Sequence, residues 1–147
     1  EQGLPMLQHP DIASALINRL HEKIERNSGD IQRYEAVGIE DADTVVVAYG
    51  CTARSARQAV QTARERGLKV GLFRPITVWP FPEEPFLKAV EHAETIVVPE
   101  MNRGQYIGEV MRVLYKGGQI KRMVPVNECG SIMIHPDRIV DAIMEGR

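Results

Sequence analysis

Thiols are scarce in this sequence. Two cysteines, Cys51 and Cys129, stand far apart in 147 residues, and neither belongs to a Cys-x-x-Cys pair. An iron–sulfur cluster or a structural zinc needs several clustered ligands, so this chain alone builds neither. Two unpaired thiols suit a reducing compartment, and a cytoplasmic location is expected. The histidines, His9, His21, His92 and His135, are scattered, and none stands at metal-ligand spacing from another ligand. Charge of one sign is also missing: 18 Lys and Arg face 20 Asp and Glu, a net of −2. That leaves no electrostatic footprint for nucleic acid. No apolar run approaches the length of a membrane span, so no membrane partner is expected. Phosphate-binding fingerprints of the Gly-x-Gly-x-x-Gly or Gly-Lys-Ser/Thr kind do not occur. An initiator Met is missing as well. The chain opens Glu1-Gln2-Gly3-Leu4-Pro5 and reads as the middle of a longer polypeptide, a fragment or a processed chain.

What is present is an alternation of two hydrophobic periods. Residues 1–10 hold two prolines and little pattern, a lead-in. Ile12, Leu16, Leu20 and Ile24 recur at helical spacing, with Asp11 as expected N-cap and Asn27-Ser28-Gly29 as a stop. Gln32–Val37 reads as a short, half-polar strand. Thr44–Tyr49 is a continuous apolar run rich in β-branched residues, the habit of a strand buried on both faces. Gly50 ends it, and Thr52 is placed to cap a helix whose inner stripe is Ala56, Val60 and Ala63. Lys69–Phe73, Glu94–Val98 and Ile120–Val126 read as further strands. Between and after them, Glu83–Ala93, Gln105–Tyr115 and Pro136–Glu145 read as helices. Their expected inward stripes are Phe86, Leu87 and Val90, then Ile107, Val110, Met111 and Leu114, then Ile139, Val140, Ile143 and Met144. Strands alternating with helices specify βαβ units, right-handed crossovers and a mostly parallel sheet. The expected fold is a three-layer α/β/α domain over residues 31–147, with residues 1–30 a lead-in segment and helix from a preceding domain.

Ligands of open parallel sheets bind at the carboxyl ends of the strands. Four such ends can be read: Tyr49-Gly50-Cys51-Thr52, Arg74-Pro75, Pro99-Glu100-Met101-Asn102 and Asn127-Glu128-Cys129-Gly130. The first is a strand–Gly–helix turn suited either to a plain cap or to an anion. A phosphoacceptor receiver is rejected, because Asp41 and Asp43 precede their strand instead of following it. Arg74 and Glu100 end what read as neighbouring elements and are placed to pair across the sheet or to meet a partner's charges. Asn102-Arg103-Gly104-Gln105 opens a helix. No nucleophile, base and oxyanion donor assemble, and no metal site does either. The residues describe an α/β domain without a self-contained active site.

Three strings carry a resemblance: "DADTVVVAYGCTARSARQAV" (41–60), "KVGLFRPITVWPFP" (69–82) and "IVVPEMNRGQYIGEV" (96–110). They resemble the C-terminal domain of transketolase-like, thiamine-diphosphate-dependent enzymes. More narrowly, they resemble the alpha subunit of 2-oxoacid:ferredoxin oxidoreductases, above all the 2-oxoglutarate type. The resemblance implies a five-stranded sheet with one antiparallel edge strand, for which Gln32–Val37 is the candidate. It implies an enzyme that decarboxylates a 2-oxoacid to acyl-CoA and CO2 with electrons passed to ferredoxin, or runs in reverse. The complete enzyme would use thiamine diphosphate, Mg2+, iron–sulfur clusters and coenzyme A. This chain carries neither the Gly-Asp-Gly…Asn element nor the cluster cysteines, so it is expected to be catalytically inactive alone and to bind no cofactor.

By the same resemblance this domain supports assembly. Its implied partners are the preceding domain of its own subunit, a thiamine-binding beta subunit and, through the whole enzyme, ferredoxin. Arg74, Trp79, Phe81, Glu100, Asn102 and Gln105 become candidates for domain or subunit contacts. Pro75 is expected to end strand pairing, and Pro80 and Pro82 to stiffen a connector on which Trp79 and Phe81 offer apolar area. Packing onto the domain's own helices competes for Trp79. Two alternatives stand beside this reading. One is a stand-alone nucleotide- or flavin-binding module; the other is the equivalent domain of a 2-oxoacid dehydrogenase E1 beta subunit.

Overall fold

The computed structural model describes residues 9–146; the first eight residues of the lead-in and Arg147 lie outside the described residues. Helix α1 (Pro10–Arg26) and the single turn α2 (Ser28–Ile31) precede strand β1 (Tyr34–Val37). The rest alternates: β2 (Thr44–Val47), α3 (Thr52–Glu65), β3 (Val70–Pro75), α4 (Glu83–Ala89), β4 (Thr95–Glu100), α5 (Gln105–Lys116), β5 (Arg122–Asn127) and α6 (Pro136–Glu145). The five strands lie in the order β1-β3-β2-β4-β5. β1 is antiparallel to β3, and every other neighbouring pair is parallel. The expected mixed sheet with one antiparallel edge is therefore present.

Side-chain alternation divides the core. Val46, Leu72 and Val97 face α3 and α6 with Ala56, Ala63, Ile139 and Ile143. Val45, Val47, Phe73, Ile96 and Val98 face α4 and α5 with Phe86, Val90, Val110 and Leu114. β2 and β4 are buried at every position because both of their faces are covered. β5 at the opposite edge needs no such run, and its exposed residues include Pro125.

Several local expectations are corrected. The N-cap position of α1 is His9, and Pro10 takes the first helical position; Asp11 falls in the first turn, where its charge suits the helix dipole. Cys51, not Thr52, stands at the N-cap of α3 and makes no side-chain cap. Asn27 ends α1, but Ser28 and Gly29 continue into α2. β3 runs on through Arg74 to Pro75, because β1 pairs with it there: Tyr34 lies opposite Pro75 and Glu35 opposite Arg74. Pro75 closes the strand from its last position and does not stop it at Phe73. α4 ends at Ala89, and Val90 stays buried beyond it. The stripe of α5 is rotated. Tyr106, Val110, Val113 and Leu114 are buried, while Met111 is 51% exposed, and in α6 Met144 is also turned outward.

Glu83 ties α4 to α5. Its carboxylate accepts from Arg112 Nη2 at 2.6 Å and from Lys116 Nζ at 2.7 Å. These bonds, that of Arg112 first, hold its carboxyl below the usual carboxylate range. A folded-state pKa below the unfolded one means the stabilisation is complete above the unfolded value and is lost as pH falls through the folded one. Glu83→Gln should cost up to about 1 kcal/mol near neutral pH. Urea unfolding of both proteins should show that difference shrinking to nothing on acidification below about pH 4. A difference that persists in acid would mean that packing, not charge, holds the two helices.

Candidate functional site

The carboxyl end of β4 is built around a buried anion. Glu100 is 1% exposed. Its Oε2 accepts from the Tyr106 amide at 2.7 Å and its Oε1 from the Ile107 amide at 2.9 Å. The first turn of α5 offers unpaired N–H groups and the positive end of the helix dipole. A carboxylate one loop upstream neutralises both. Asn102 completes the cap, with Oδ1 accepting from the Gly104 amide at 2.8 Å and the Gln105 amide at 3.0 Å. Its Nδ2 donates to the Tyr49 hydroxyl at 3.1 Å. The turn needs Gly104, whose φ of 87° lies in the left-handed region. Tyr49 and Tyr106 pack against each other with ring centroids 4.6 Å apart and planes tilted by 51°. Burial, and then the neighbouring Glu100 charge, push the Tyr49 phenol upward; burial is the main cause at Tyr106 as well. This strand end serves the protein's own helix and leaves no amides for a foreign anion.

Arg74 and Glu100 are not brought together. β2 lies between their strands, so the pairing across neighbouring strand ends cannot form. Arg74 Nη1 instead meets Glu35 Oε2 at 3.2 Å, directly across the β1–β3 ladder, and Arg57 Nη2 reaches the same oxygen at 2.6 Å. Gln105 opens α5 with an exposed side chain.

The connector Ile76–Pro82 is fastened to the segment before β1. The amides of Ile76 and Thr77 donate to Arg33 O, the Thr77 hydroxyl donates to Ile31 O at 2.7 Å, and Gln32 Nε2 donates to Phe81 O at 2.8 Å. The Tyr106 hydroxyl donates to Val78 O from the other side. The two aromatic candidates part company here. Phe81 is 3% exposed and packs on Phe86, Phe73 and Tyr106, so its ring belongs to this domain's core and is not offered at the surface. Trp79 is 60% exposed, follows exposed Ile76 and Val78, and is joined to Pro80 by a cis peptide. It borders a cleft with Ile24 and Gln32, so the end of α1 and the connector share one surface. α1 buries none of its residues, although Ile12, Ile17 and Leu20 are apolar.

Sequence reasoning missed Glu35, Tyr49 and Tyr106. The strand registers and the turn before α5 bring them into place, and no local motif announces either. Among the described residues no group of three or more His, Cys, Asp or Glu is placed to hold a metal ion. No helix there is long and apolar enough to cross a membrane.

A five-stranded sheet with one antiparallel edge and two helices on each face is the architecture of transketolase-like domains. It superposes on a 2-oxoglutarate:ferredoxin oxidoreductase of Magnetococcus marinus, solved with 2-oxoglutarate, coenzyme A and succinyl-CoA bound, with a TM-score of 0.74 and 24% identity over 94% of this chain and 24% of that one. A split-gene transketolase, solved as an inactive beta4 tetramer, matches with a TM-score of 0.66 and 17% identity over 78% of this chain and 42% of that one. The chain belongs to the pyruvate:ferredoxin oxidoreductase core domain II family, whose model matches residues 42–139. Among its relatives, the 2-oxoglutarate synthase subunit KorA of Methanocaldococcus jannaschii is 37% identical over 144 residues, covering 98% of this chain and 37% of that protein. Ketoisovalerate oxidoreductase subunit VorB of Methanothermobacter marburgensis is 46% identical over 86 residues, covering 58% of this chain and 24% of that protein. The chain thus spans little more than a third of the length of the KorA subunits it matches.

Proposed function

We propose that this chain is the non-catalytic assembly domain of the alpha subunit of a 2-oxoacid:ferredoxin oxidoreductase, most like the 2-oxoglutarate type. The observation that carries the reading is a likeness to KorA subunits along 98% of the chain. The whole enzyme decarboxylates a 2-oxoacid to acyl-CoA and CO2 and reduces ferredoxin, or runs in reverse. Thiamine diphosphate with Mg2+ and iron–sulfur clusters supply that chemistry, and coenzyme A is the acyl acceptor. The donors present here do not fit these groups. Two cysteines cannot ligate a cluster that takes four thiolates. The buried carboxylate, Glu100, is spent on two backbone amides and leaves nothing for a metal or an aminopyrimidine. What the domain offers instead is surface. Residues 31–147 form the α/β unit, and α1 belongs with the preceding segment. Trp79 and its apolar neighbours face the rest of the subunit, and Arg74, Asn102 and Gln105 lie at the strand-end side where a thiamine-binding partner can sit.

The test is reconstitution. The complete alpha subunit with its thiamine-binding partner should reduce ferredoxin, or a viologen in its place, when given coenzyme A and 2-oxoglutarate. The 147-residue chain alone should not. Turnover of 2-oxoisovalerate but not 2-oxoglutarate would move the substrate toward the VorB-like type. A complex that turns over no 2-oxoacid would remove the reading altogether.

A further inference from the structure

The carboxyl ends of β2 and β3 differ from that of β4. Between them lies an open cleft of about 630 Å³, lined by Gly50, Cys51, Ala53, Arg54, Arg57 and Arg74. That volume falls within the range of small-ligand sites. Three of the six lining residues are arginines from two elements, the first turns of α3 and the end of β3. One carboxylate, Glu35, answers them, and it is shared between Arg57 and Arg74. Three guanidinium charges against one carboxylate leave a surplus of two. Among the described residues Arg54 has no ion-pair partner. Arg74 is incompletely satisfied, its Nη1 on Glu35 and its buried Nε bonded to no acceptor.

We propose that this cleft binds the phosphate or diphosphate group of a small molecule. Guanidinium groups present paired N–H donors that match phosphate oxygens, and they desolvate more readily than ammonium groups. The floor is backbone: Gly50 turns with φ 56°, a Cβ built there would meet nothing within 4 Å, and the space above it is open. The start of α3 adds amide donors and its dipole to the same spot. Glu35 is the internal competitor. It holds Arg57 and Arg74 in place while the cleft is empty and yields them as an anion enters. The site goes beyond the assembly reading and stands whether or not that reading holds, because every group in it belongs to this chain.

Calorimetric titration of the chain at low, constant ionic strength would use inorganic phosphate, pyrophosphate and ADP as probes. Pyrophosphate is expected to bind more tightly than phosphate. ADP equal to pyrophosphate means that the phosphates alone are read, and ADP tighter means that the cleft also takes the nucleoside; both support the site. Arg54→Gln, which breaks no ion pair among the described residues, should weaken pyrophosphate binding roughly tenfold or more, the loss expected for one charge-assisted contact. Glu35→Gln should strengthen it, a sign opposite to that of simple damage to the fold. Absence of binding by all three probes overturns the proposal, and so does binding untouched by Arg54→Gln. Tighter binding of a glutamate-rich peptide than of pyrophosphate overturns it as well, assigning the cleft to an acidic protein segment.

Discussion

Glu100→Ala is expected to destabilise the domain by roughly 3–5 kcal/mol, the cost of leaving two backbone amides without their charged acceptor. Two effects add. The amides of Tyr106 and Ile107 lose their acceptor inside a loop already closed off by Tyr49 and Tyr106. The dipole of α5 also loses the negative charge that sits against it. Glu100→Gln keeps the shape and one acceptor oxygen, so it should cost less than half as much. Denaturant unfolding followed by circular dichroism separates the two variants. Similar small losses from both would mean that water replaces the carboxylate, and that the strand end is more open than the buried Glu100 indicates. A stability series of this kind also bears on chemistry. A carboxylate that catalyses is often destabilising where it stands, whereas one that caps a helix is not. If Glu100→Ala stabilised the fold, Glu100 would return to the list of functional groups.

The parts of this structure that were legible in the sequence are those that local composition decides. Thr44–Val47 and Thr95–Val98 are β-branched throughout and buried on both faces, the habit of a central parallel strand. Helix α6 begins with His135-Pro136-Asp137 and matches its expected limits because its start signal is local. Parts settled by register were not legible. Glu35 meets Arg74 only because β1 runs antiparallel along β3 in one alignment, and a four-residue, half-polar strand does not state its register. The α5 stripe misled because Tyr106 counts as polar in a periodicity. In the structure its ring is buried while its hydroxyl reaches Val78 O. Met111 carries no such constraint and turns outward. The function of Glu100 was hidden for the same kind of reason. Its partners are amides six and seven residues later, across a turn whose shape depends on Gly104. The sequence placed Glu100 at a strand end, but only the turn shows that it closes a helix.

Trp79→Ala should leave the melting temperature of the 147-residue chain nearly unchanged and weaken its association with the remainder of the subunit by roughly 30-fold or more, a loss of about 2 kcal/mol. The indole is 60% exposed, so its own domain gains little from it. Its backbone is nonetheless well held. Bonds from Gln32 to Phe81 O and from Tyr106 to Val78 O bracket the residue, and the buried Phe81 ring anchors the next turn. A large apolar side chain on a fixed backbone loses little conformational freedom on docking, which is what an interface anchor requires. Ile76, Val78 and the apolar side of α1 would extend the same contact. The measurement is binding of the chain, wild type and variant, to the rest of the alpha subunit supplied as a separate polypeptide, with thermal unfolding of each free chain beside it. Phe81→Ala is the internal contrast, because removing a core ring should lower the melting temperature first and reduce binding only as a consequence. If Trp79→Ala unfolds the chain while binding per folded molecule is unaltered, the indole supports its own domain and the docking face must lie elsewhere. If neither quantity moves, the apolar surface along the connector does not carry the assembly contact, and Arg74, Asn102 and Gln105 at the strand ends become the residues to replace next.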